Sequence, residues 1–160
     1  MASENQVVHV AASVGPTLLG PSETLKFLIT GAETGGALLM VETTVEPGGG
    51  SPPHIHHRED ESFYMLQGSL TVHIGEKTLQ ATAGDFVRLP RDLVHWFQNT
   101  AHEPAKTLIT ITPAGLEKFF EEVYVAATPG ATPPQMGPAM IAKFLAAAPK
   151  AGLEILVPGH

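Results

Sequence analysis

Short segments of alternating apolar and polar residues, separated by turn residues, make up most of the chain. A period of two places successive side chains on opposite faces of a strand, which is the pattern of a half-buried β-strand. Turn residues recur about every eight to twelve positions between these segments, and this spacing is typical of a β-sandwich or barrel. The pattern predicts an all-β fold with strands at residues 6–10, 24–30, 37–45, 69–74, 77–82, 86–89, 93–99 and 106–112.

Two of the connections between these segments predict hairpins. The glycine-rich stretch 31–36 is a turn that would pair residues 24–30 with 37–45. Gly75 and Glu76 form a tight turn between residues 69–74 and 77–82. Both pairs of strands are therefore expected to be antiparallel.

The hydrophobic period changes after Thr112. A threonine followed by a proline is a typical helix start, and apolar residues then recur at spacings of three and four from Leu116 to Tyr124. A second short helix is predicted at 139–148. We expect one domain over residues 1–160, with a barrel core at about 24–112 and a C-terminal helical extension at about 113–160.

Composition limits the chemistry and the partners of this domain. The 160 residues include no cysteine, so any metal site must use nitrogen and oxygen donors. The net charge is −7, and no basic stripe is present that could neutralise phosphates, so neither nucleic acid nor an anionic membrane is expected as a partner. No apolar run approaches the length of a membrane span and the first residues lack a secretory signal pattern, so a cytoplasmic location is expected.

The stretch from Gly48 to Gly68 carries the candidate chemistry. His54 and His56 are two positions apart, so a strand here would aim both imidazoles at the same face. Glu61 opens the apolar segment that follows. Two imidazoles and a carboxylate that face an apolar interior could bind a divalent transition metal. The alternative is that this charged run is a solvated polar loop.

His95 is a third candidate histidine, because it lies within an apolar strand. An unpaired imidazole in such a position would be costly. His95 is therefore expected to have either a hydrogen-bond partner or a metal.

Two spaced motifs resemble those that define the cupin superfamily. The first, G-x5-H-x-H-x4-E-x6-G, is formed by Gly48, His54, His56, Glu61 and Gly68, and the second, G-x5-P-x-D-x2-H-x3-N, by Gly84, Pro90, Asp92, His95 and Asn99. The resemblance covers residues from about 37 to 112 directly. The chain is similar to small single-domain bacterial cupins of the cupin type 2, quercetin dioxygenase-like kind. Asp92 stands where the second motif usually has glycine, at a turn expected to have a positive φ, which aspartate tolerates.

This resemblance implies both a fold and a site. The fold would be a double-stranded β-helix, which is a jelly-roll barrel, with one or two short C-terminal helices. The site would hold one divalent transition metal per chain, namely Fe, Ni, Mn, Cu or Zn, on His54, His56, Glu61 and His95. His57, Glu59 and Asp60 would then be neighbours with the wrong parity or spacing, and His57 would point away from the metal.

The implied activity is that of a mononuclear-metal dioxygenase acting on a small enolic or flavonol-like substrate. Glu61 would be catalytic, because burial would raise its pKa if the metal released it and so allow it to take the substrate proton. Phe63, Met65 and Phe97 share the parity of Glu61 and His95 and would line the cavity, although filling a narrow barrel would explain them equally well.

Two alternatives to the dioxygenase remain open. One is a redox-neutral isomerase, cyclase or lyase, and the other is a non-enzymatic, metal-stabilised barrel that binds a small molecule. In either case we expect a homodimer, since small barrels with open sheet edges commonly dimerise to cover them.

Overall fold

Two antiparallel β-sheets face each other in the computed structural model of the chain, which describes residues 6–157. Within this range the strands are β1 (Thr17–Leu19), β2 (Glu23–Ile29), β3 (Leu39–Val45), β4 (His54–His56), β5 (Asp60–Gln67), β6 (Ser69–Ile74), β7 (Lys77–Thr82), β8 (Phe86–Leu89), β9 (His95–Gln98), β10 (Ala105–Thr112), β11 (Val125–Ala126) and β12 (Leu153–Ile155). The α-helices are α1 (Gly31–Thr34), α2 (Glu117–Val123) and α3 (Pro138–Ala147).

The order of the strands is that of a jelly roll. One sheet has seven strands in the order β11-β1-β2-β3-β10-β5-β8, and the other has five in the order β12-β4-β9-β6-β7. Sequence neighbours pair as hairpins in β2 with β3 and in β6 with β7, as predicted. The expected all-β jelly-roll fold with short C-terminal helices is confirmed.

Alternate residues of the central strands build the core between the sheets. In β3 the inward residues Leu39, Val41, Thr43 and Val45 are at most 2% exposed, whereas the alternate residues Met40, Glu42 and Thr44 are half-buried. Strand β10 follows the same alternation. Each buried aliphatic side chain contributes about 1.5–3 kcal/mol, and a slip of one residue would turn the whole set towards solvent. Burial therefore determines the register of these strands.

The C-terminal extension covers the barrel and pairs with β4, the strand that carries His54 and His56. Helix α2 buries Phe119 and α3 buries Phe144, with the two ring centroids 5.9 Å apart. Strand β12 then pairs with the edge of β4, where Leu153 lies opposite His56 and Ile155 opposite His54. The extension is therefore part of the environment of the candidate site.

Three local predictions are wrong. Residues 6–10 form no strand, and the predicted turn at 31–36 contains the helical turn α1, which Thr30 caps. Helix α2 begins at Glu117 rather than next to Thr112. The reason is that Thr112 still pairs with β5, and Gly115, with a φ of 141°, has a non-helical backbone just before the helix.

No helix within residues 6–157 combines the length and the apolar character that crossing a membrane would require. The cytoplasmic location and the homodimer stay predictions. The last residues of the predicted extension, 158–160, lie outside the described range.

Candidate metal centre

Three histidines from the five-stranded sheet meet one glutamate from the facing sheet inside the barrel. His54 and His56 lie on β4, His95 on β9 and Glu61 on β5. One donor atom from each of these residues lies within 4.8 Å of the others. His56, Glu61 and His95 are only 2, 7 and 1% exposed, so the cluster is shielded from solvent. The structure brings together all four predicted ligands in a group that could hold a metal ion.

Backbone carbonyl groups orient two of the imidazoles. His54 Nδ1 donates to the Pro52 carbonyl oxygen at 2.8 Å, and His95 Nδ1 donates to the Leu93 carbonyl oxygen at 3.0 Å. A carbonyl oxygen only accepts hydrogen bonds, so both Nδ1 atoms carry a hydrogen. The Nε2 atoms are then left to face the interior, which is the arrangement of metal-binding histidines.

Glu59 makes the corresponding contact behind His56. Its Oε2 lies 3.4 Å from His56 Nδ1, and the residue is only 2% exposed. A carboxylate behind a metal-binding imidazole fixes the ring orientation and makes the opposite nitrogen a stronger donor. Spacing excludes Glu59 as a ligand but does not reveal its contact with His56.

Glu61 lies in contact with two of the histidines. Its Oε2 lies 3.0 Å from His95 Nε2 and 3.5 Å from His56 Nε2. Burial alone would raise the pKa of Glu61, but the hydrogen bonds and charges of His56 and His95 outweigh burial and hold that pKa well below its ordinary range. The expected rise in the pKa of Glu61 is therefore wrong, because that expectation considered the apolar walls and left out the hydrogen bonds and charges of the two imidazoles beside the carboxylate.

The pKa values of His54 and His56 move in opposite directions. Burial, reinforced by the nearby His95 and His56, lowers the pKa of His54 to about 3, so this ring is neutral at physiological pH. Burial also acts to lower the pKa of His56, but its contacts with Glu59 and Glu61 outweigh burial and raise it. A neutral imidazole, two further imidazoles and an ionised carboxylate suit a divalent transition metal, and they do not by themselves select one metal.

The turn before β9 has the geometry expected at Asp92. Its φ is 63°, so aspartate occupies the left-handed region where related motifs have glycine. The Asp92 backbone N–H donates to the His56 carbonyl oxygen at 2.8 Å, which ties this turn to β4. The side chain of Asp92 accepts from exposed His57, which also contacts Glu154. His57 therefore lies on the outer surface, as expected.

A cavity of about 90 Å³ adjoins the cluster. His54, His56 and Glu61 line it, and most of the remaining wall is apolar. The C-terminal extension contributes Leu116, Phe119, Phe120, Tyr124, Met136 and Phe144. The C-terminal extension therefore covers the cavity that the four-residue cluster faces.

Only one of the three residues predicted to line the cavity does so. Phe97 is part of the wall, whereas Phe63 and Met65, at 0 and 1% exposure, are not. The Phe63 ring packs edge-on against Phe97 with 5.4 Å between centroids. The alternation along β5 correctly predicts that Phe63 and Met65 point inwards, but their side chains fill the packed interior of the barrel.

Comparison with known families agrees with this geometry. Residues 41–111 match the family described as the cupin domain, and this segment contains all four clustered residues. This segment is a cupin domain. Its fold resembles that of KdgF from Halomonas sp., with a TM-score of 0.63 and 17% identity over 71% of this cupin and 99% of KdgF.

Curated relatives differ in how much of their length the cupin spans. Quercetin 2,3-dioxygenase of Aspergillus japonicus is 32% identical over 102 residues, which is 59% of the cupin and 29% of that enzyme. TcmJ, a tetracenomycin polyketide synthase protein of Streptomyces glaucescens, is 25% identical over 141 residues, which is 82% of the cupin and 93% of TcmJ. The cupin spans less than half of the length of the germin-like and quercetin dioxygenase relatives that it matches.

Sequence reasoning missed a polar group on the cavity wall of this cupin. Glu23 of β2 and Tyr124, next to α2, both line the cavity, and the Tyr124 hydroxyl donates to Glu23. The two residues are 101 positions apart, so no local pattern connects them. The only indication in the sequence was that Glu23 lies on the same face of the strand as the inward residues Leu25 and Phe27, because it is two and four positions before them.

Proposed function

We propose that this cupin holds one divalent transition metal per chain on His54, His56, Glu61 and His95 and that it is a dioxygenase for a small enolic molecule. The observation that carries the proposal is that the four-residue cluster faces a mainly apolar cavity. A metal with open positions would supply Lewis acidity towards an enol oxygen and a redox partner for dioxygen. The similarity to quercetin 2,3-dioxygenase supports this reaction class.

The residues in and around the cluster would position the ion, exclude water and accept a proton. His54, His56 and His95 are oriented from behind and would hold the ion in a fixed position. The apolar wall excludes water from a reactive enolate. Glu61 is the candidate proton acceptor, because its side chain is an ionised carboxylate on the cavity wall. Glu61→Gln is expected to retain some metal and to lose most turnover, and unchanged activity would contradict the role as base.

The size of the cavity favours a substrate smaller than a flavonol. An apolar cavity of about 150 Å³ is enough for benzene, whereas this cavity is about 90 Å³. A flavonol has three rings and is larger than this cavity, so part of the wall would have to move to admit it. A small diketone or a single-ring enol needs less displacement of the wall.

Oxygen uptake by the metal-loaded protein tests the proposal. Iron-, nickel- and manganese-loaded samples would be compared with acetylacetone and quercetin as substrates, and His54→Ala/His95→Ala would serve as the inactive control. The expected result is consumption of dioxygen in proportion to the diketone, lost in the double variant. Binding without consumption of either reactant would favour the non-enzymatic binder.

A redox-neutral reaction is the second candidate, and one observation favours it. The match to TcmJ, a polyketide synthase protein, runs over 82% of the cupin and 93% of TcmJ. Polyketides contain diketone units that enolise, so the same cluster could promote isomerisation or ring closure. Conversion of a diketone substrate under nitrogen, with no dependence on dioxygen, would support this candidate against the dioxygenase.

A further inference from the structure

Glu23 and Tyr124 form a polar pair on the cavity wall that the metal-binding cluster does not use. Glu23 begins β2 and shares its inward face with the buried residues Leu25 and Phe27. Tyr124 immediately follows α2, and its hydroxyl donates to Glu23 Oε1. Both residues line the same cavity as His54. The hydrogen bond from Tyr124 therefore holds the whole Glu23 carboxyl group in place, including its second oxygen, Oε2.

Thr43 adds an unsatisfied hydroxyl to the same wall. It is fully buried on β3 and lines the cavity. Its Oγ1 has no hydrogen-bond partner within residues 6–157. A buried hydroxyl without a partner costs about 1–3 kcal/mol, so a ligand group or a water molecule is expected beside it.

The register of the sheet places Thr43 close to Glu23. Thr43 lies opposite Leu25, and Glu23 lies opposite Val45, so Glu23 and Thr43 are diagonal neighbours on the inward face. Diagonal neighbours in an antiparallel pair have Cα atoms roughly 7–8 Å apart. A single hydroxyl group between these two side chains could contact both.

Charge argues for a neutral ligand group. Burial raises the pKa of Glu23 to about 7, against the hydrogen bond from Tyr124 and with the support of the Glu61 charge. A carboxyl group in this state can donate or accept a hydrogen bond near neutral pH. The apolar surroundings would penalise an ionic ligand group much more than a hydroxyl.

We propose that Glu23, Tyr124 and Thr43 form a polar subsite that binds a hydroxyl group of the ligand. The ligand would be a small, mainly apolar molecule with enolic oxygens for the metal and a separate hydroxyl on the other side of the molecule. This inference rests on the proposed function, since it assumes that the enolic oxygens are held at the four-residue cluster. Glu23 and Thr43 would contact the hydroxyl, and Tyr124 would position Glu23.

A pair of hydroxypyrones that differ by one hydroxyl group tests the subsite. Kojic acid carries a hydroxymethyl group on the side of the ring away from its chelating oxygens, and allomaltol has a methyl group at the same carbon. Binding of each would be measured by calorimetry to the nickel-loaded full chain under nitrogen. The wild type is expected to prefer kojic acid by about tenfold, the contribution of one buried hydrogen bond.

Three variants separate recognition of the hydroxyl from structural support. Glu23→Leu/Tyr124→Phe removes both partners of the pair together, which leaves no orphaned polar group. Thr43→Val removes the unsatisfied hydroxyl without changing the Glu23 pair. Thr44→Val alters the outward neighbour of Thr43 on the same strand and is the matched control. The preference for kojic acid is expected to fall severalfold in each of the first two variants, since each removes one of the two contacts, and to remain about tenfold in the third.

The outcomes distinguish the subsite from the proposed function. Equal affinities for the two probes in the wild type, or a preference that survives both subsite variants, would overturn the subsite alone. A parallel loss of both probes in the double variant, together with a lower melting temperature, would show that the pair only fastens α2 to the barrel and would also overturn it. Failure of both probes to bind the nickel-loaded wild type would contradict the proposed function and, with it, the subsite.

Discussion

His54 and His95 lie directly opposite each other on the neighbouring antiparallel strands β4 and β9, with 4.4 Å between their ring centroids. Each residue comes from a different sequence motif, so a metal bound between them would join two distant parts of the chain. Glu61 adds a donor from the facing sheet. Metal binding at this cluster would therefore link the two sheets as well as the two motifs.

This linkage predicts metal-dependent stability. Adding nickel at about 100 times its Kd should raise the free energy of unfolding of the wild type by about 2.7 kcal/mol, because the ion binds the folded state. The His95→Ala variant should show little of this gain. His73→Ala is the matched control, since His73 lies on the adjacent strand β6 and stacks on Trp96 away from the cluster. Thermal unfolding with and without a chelator measures the difference, and an equal gain in His95→Ala would contradict the assignment.

Replacement of Glu59 should weaken metal binding without removing it. Glu59→Gln keeps the shape of the side chain but takes away the charge that faces His56 Nδ1. Loss of such a supporting carboxylate typically lowers metal affinity about 10- to 100-fold. Competition with a chromophoric chelator would measure the affinity. Glu154→Gln, at the exposed carboxylate beside His57, should leave it unchanged, and equal affinities in all three proteins would exclude a supporting role for Glu59.

Glu23 predicts a specific dependence of stability on pH. Its pKa is about 7 in the folded protein against an ordinary value of 4.5, so the folded state binds more protons between these values. Stability should therefore fall as pH rises through this window, by about 3 kcal/mol at most. Glu61 and Tyr124 are the groups that act on Glu23, and the pKa of Glu61 stays well below the window while that of Tyr124 stays well above it.

The Glu23→Gln variant isolates this effect, because glutamine can still accept from Tyr124 but does not titrate. Chemical denaturation of both proteins from pH 4.5 to 7.5 would give the difference in stability at each pH. The wild type should lose stability relative to the variant as pH rises. A difference that stays constant, or changes in the opposite direction, would show that burial does not raise the pKa of Glu23.

Gly50 should not accept a side chain. A Cβ atom there would lie 2.1 Å from the Phe97 carbonyl oxygen and 2.9 Å from the Gln98 Cα, and neither backbone atom can move easily. Gly50→Ala should lower the free energy of unfolding by about 2 kcal/mol or more. It should also weaken metal binding, because this segment leads into His54. Gly137, where a Cβ would meet open space, provides the control, and Gly137→Ala should change stability by less than about 0.5 kcal/mol.

The candidate cluster was predictable because its four residues lie in two short motifs that resemble those of the cupin superfamily. A period of two aimed His54 and His56 at one face, and the two motifs supplied Glu61 and His95. The lining of the cavity and the pKa of Glu61 were not predictable in this way. The alternation of residues along the strand correctly predicts that Phe63 and Met65 point inwards. It does not show that Phe97 lines the cavity and that these two residues do not. Likewise, the apolar pattern around Glu61 suggested a raised pKa, whereas two imidazoles from the facing sheet lower it.

The polar pair on the cavity wall illustrates a second limit. Glu23 and Tyr124 approach each other only because α2 folds back over the barrel, a consequence of packing by Phe119 and Phe144. An apolar stripe predicts that a helix will pack, but it does not specify which strand residue its end will meet. Contacts of this kind require the tertiary structure.

Metal stoichiometry tests the central claim most directly. Wild-type protein would be saturated in turn with iron, nickel, manganese, copper and zinc, desalted and analysed by mass spectrometry, beside His54→Ala/His95→Ala and His57→Ala. The account predicts about one ion per chain for at least one metal in the wild type and in His57→Ala, whose histidine lies outside the cluster, and almost none in the double variant. A full equivalent of metal in the double variant, or none of these metals retained by the wild type, would contradict it.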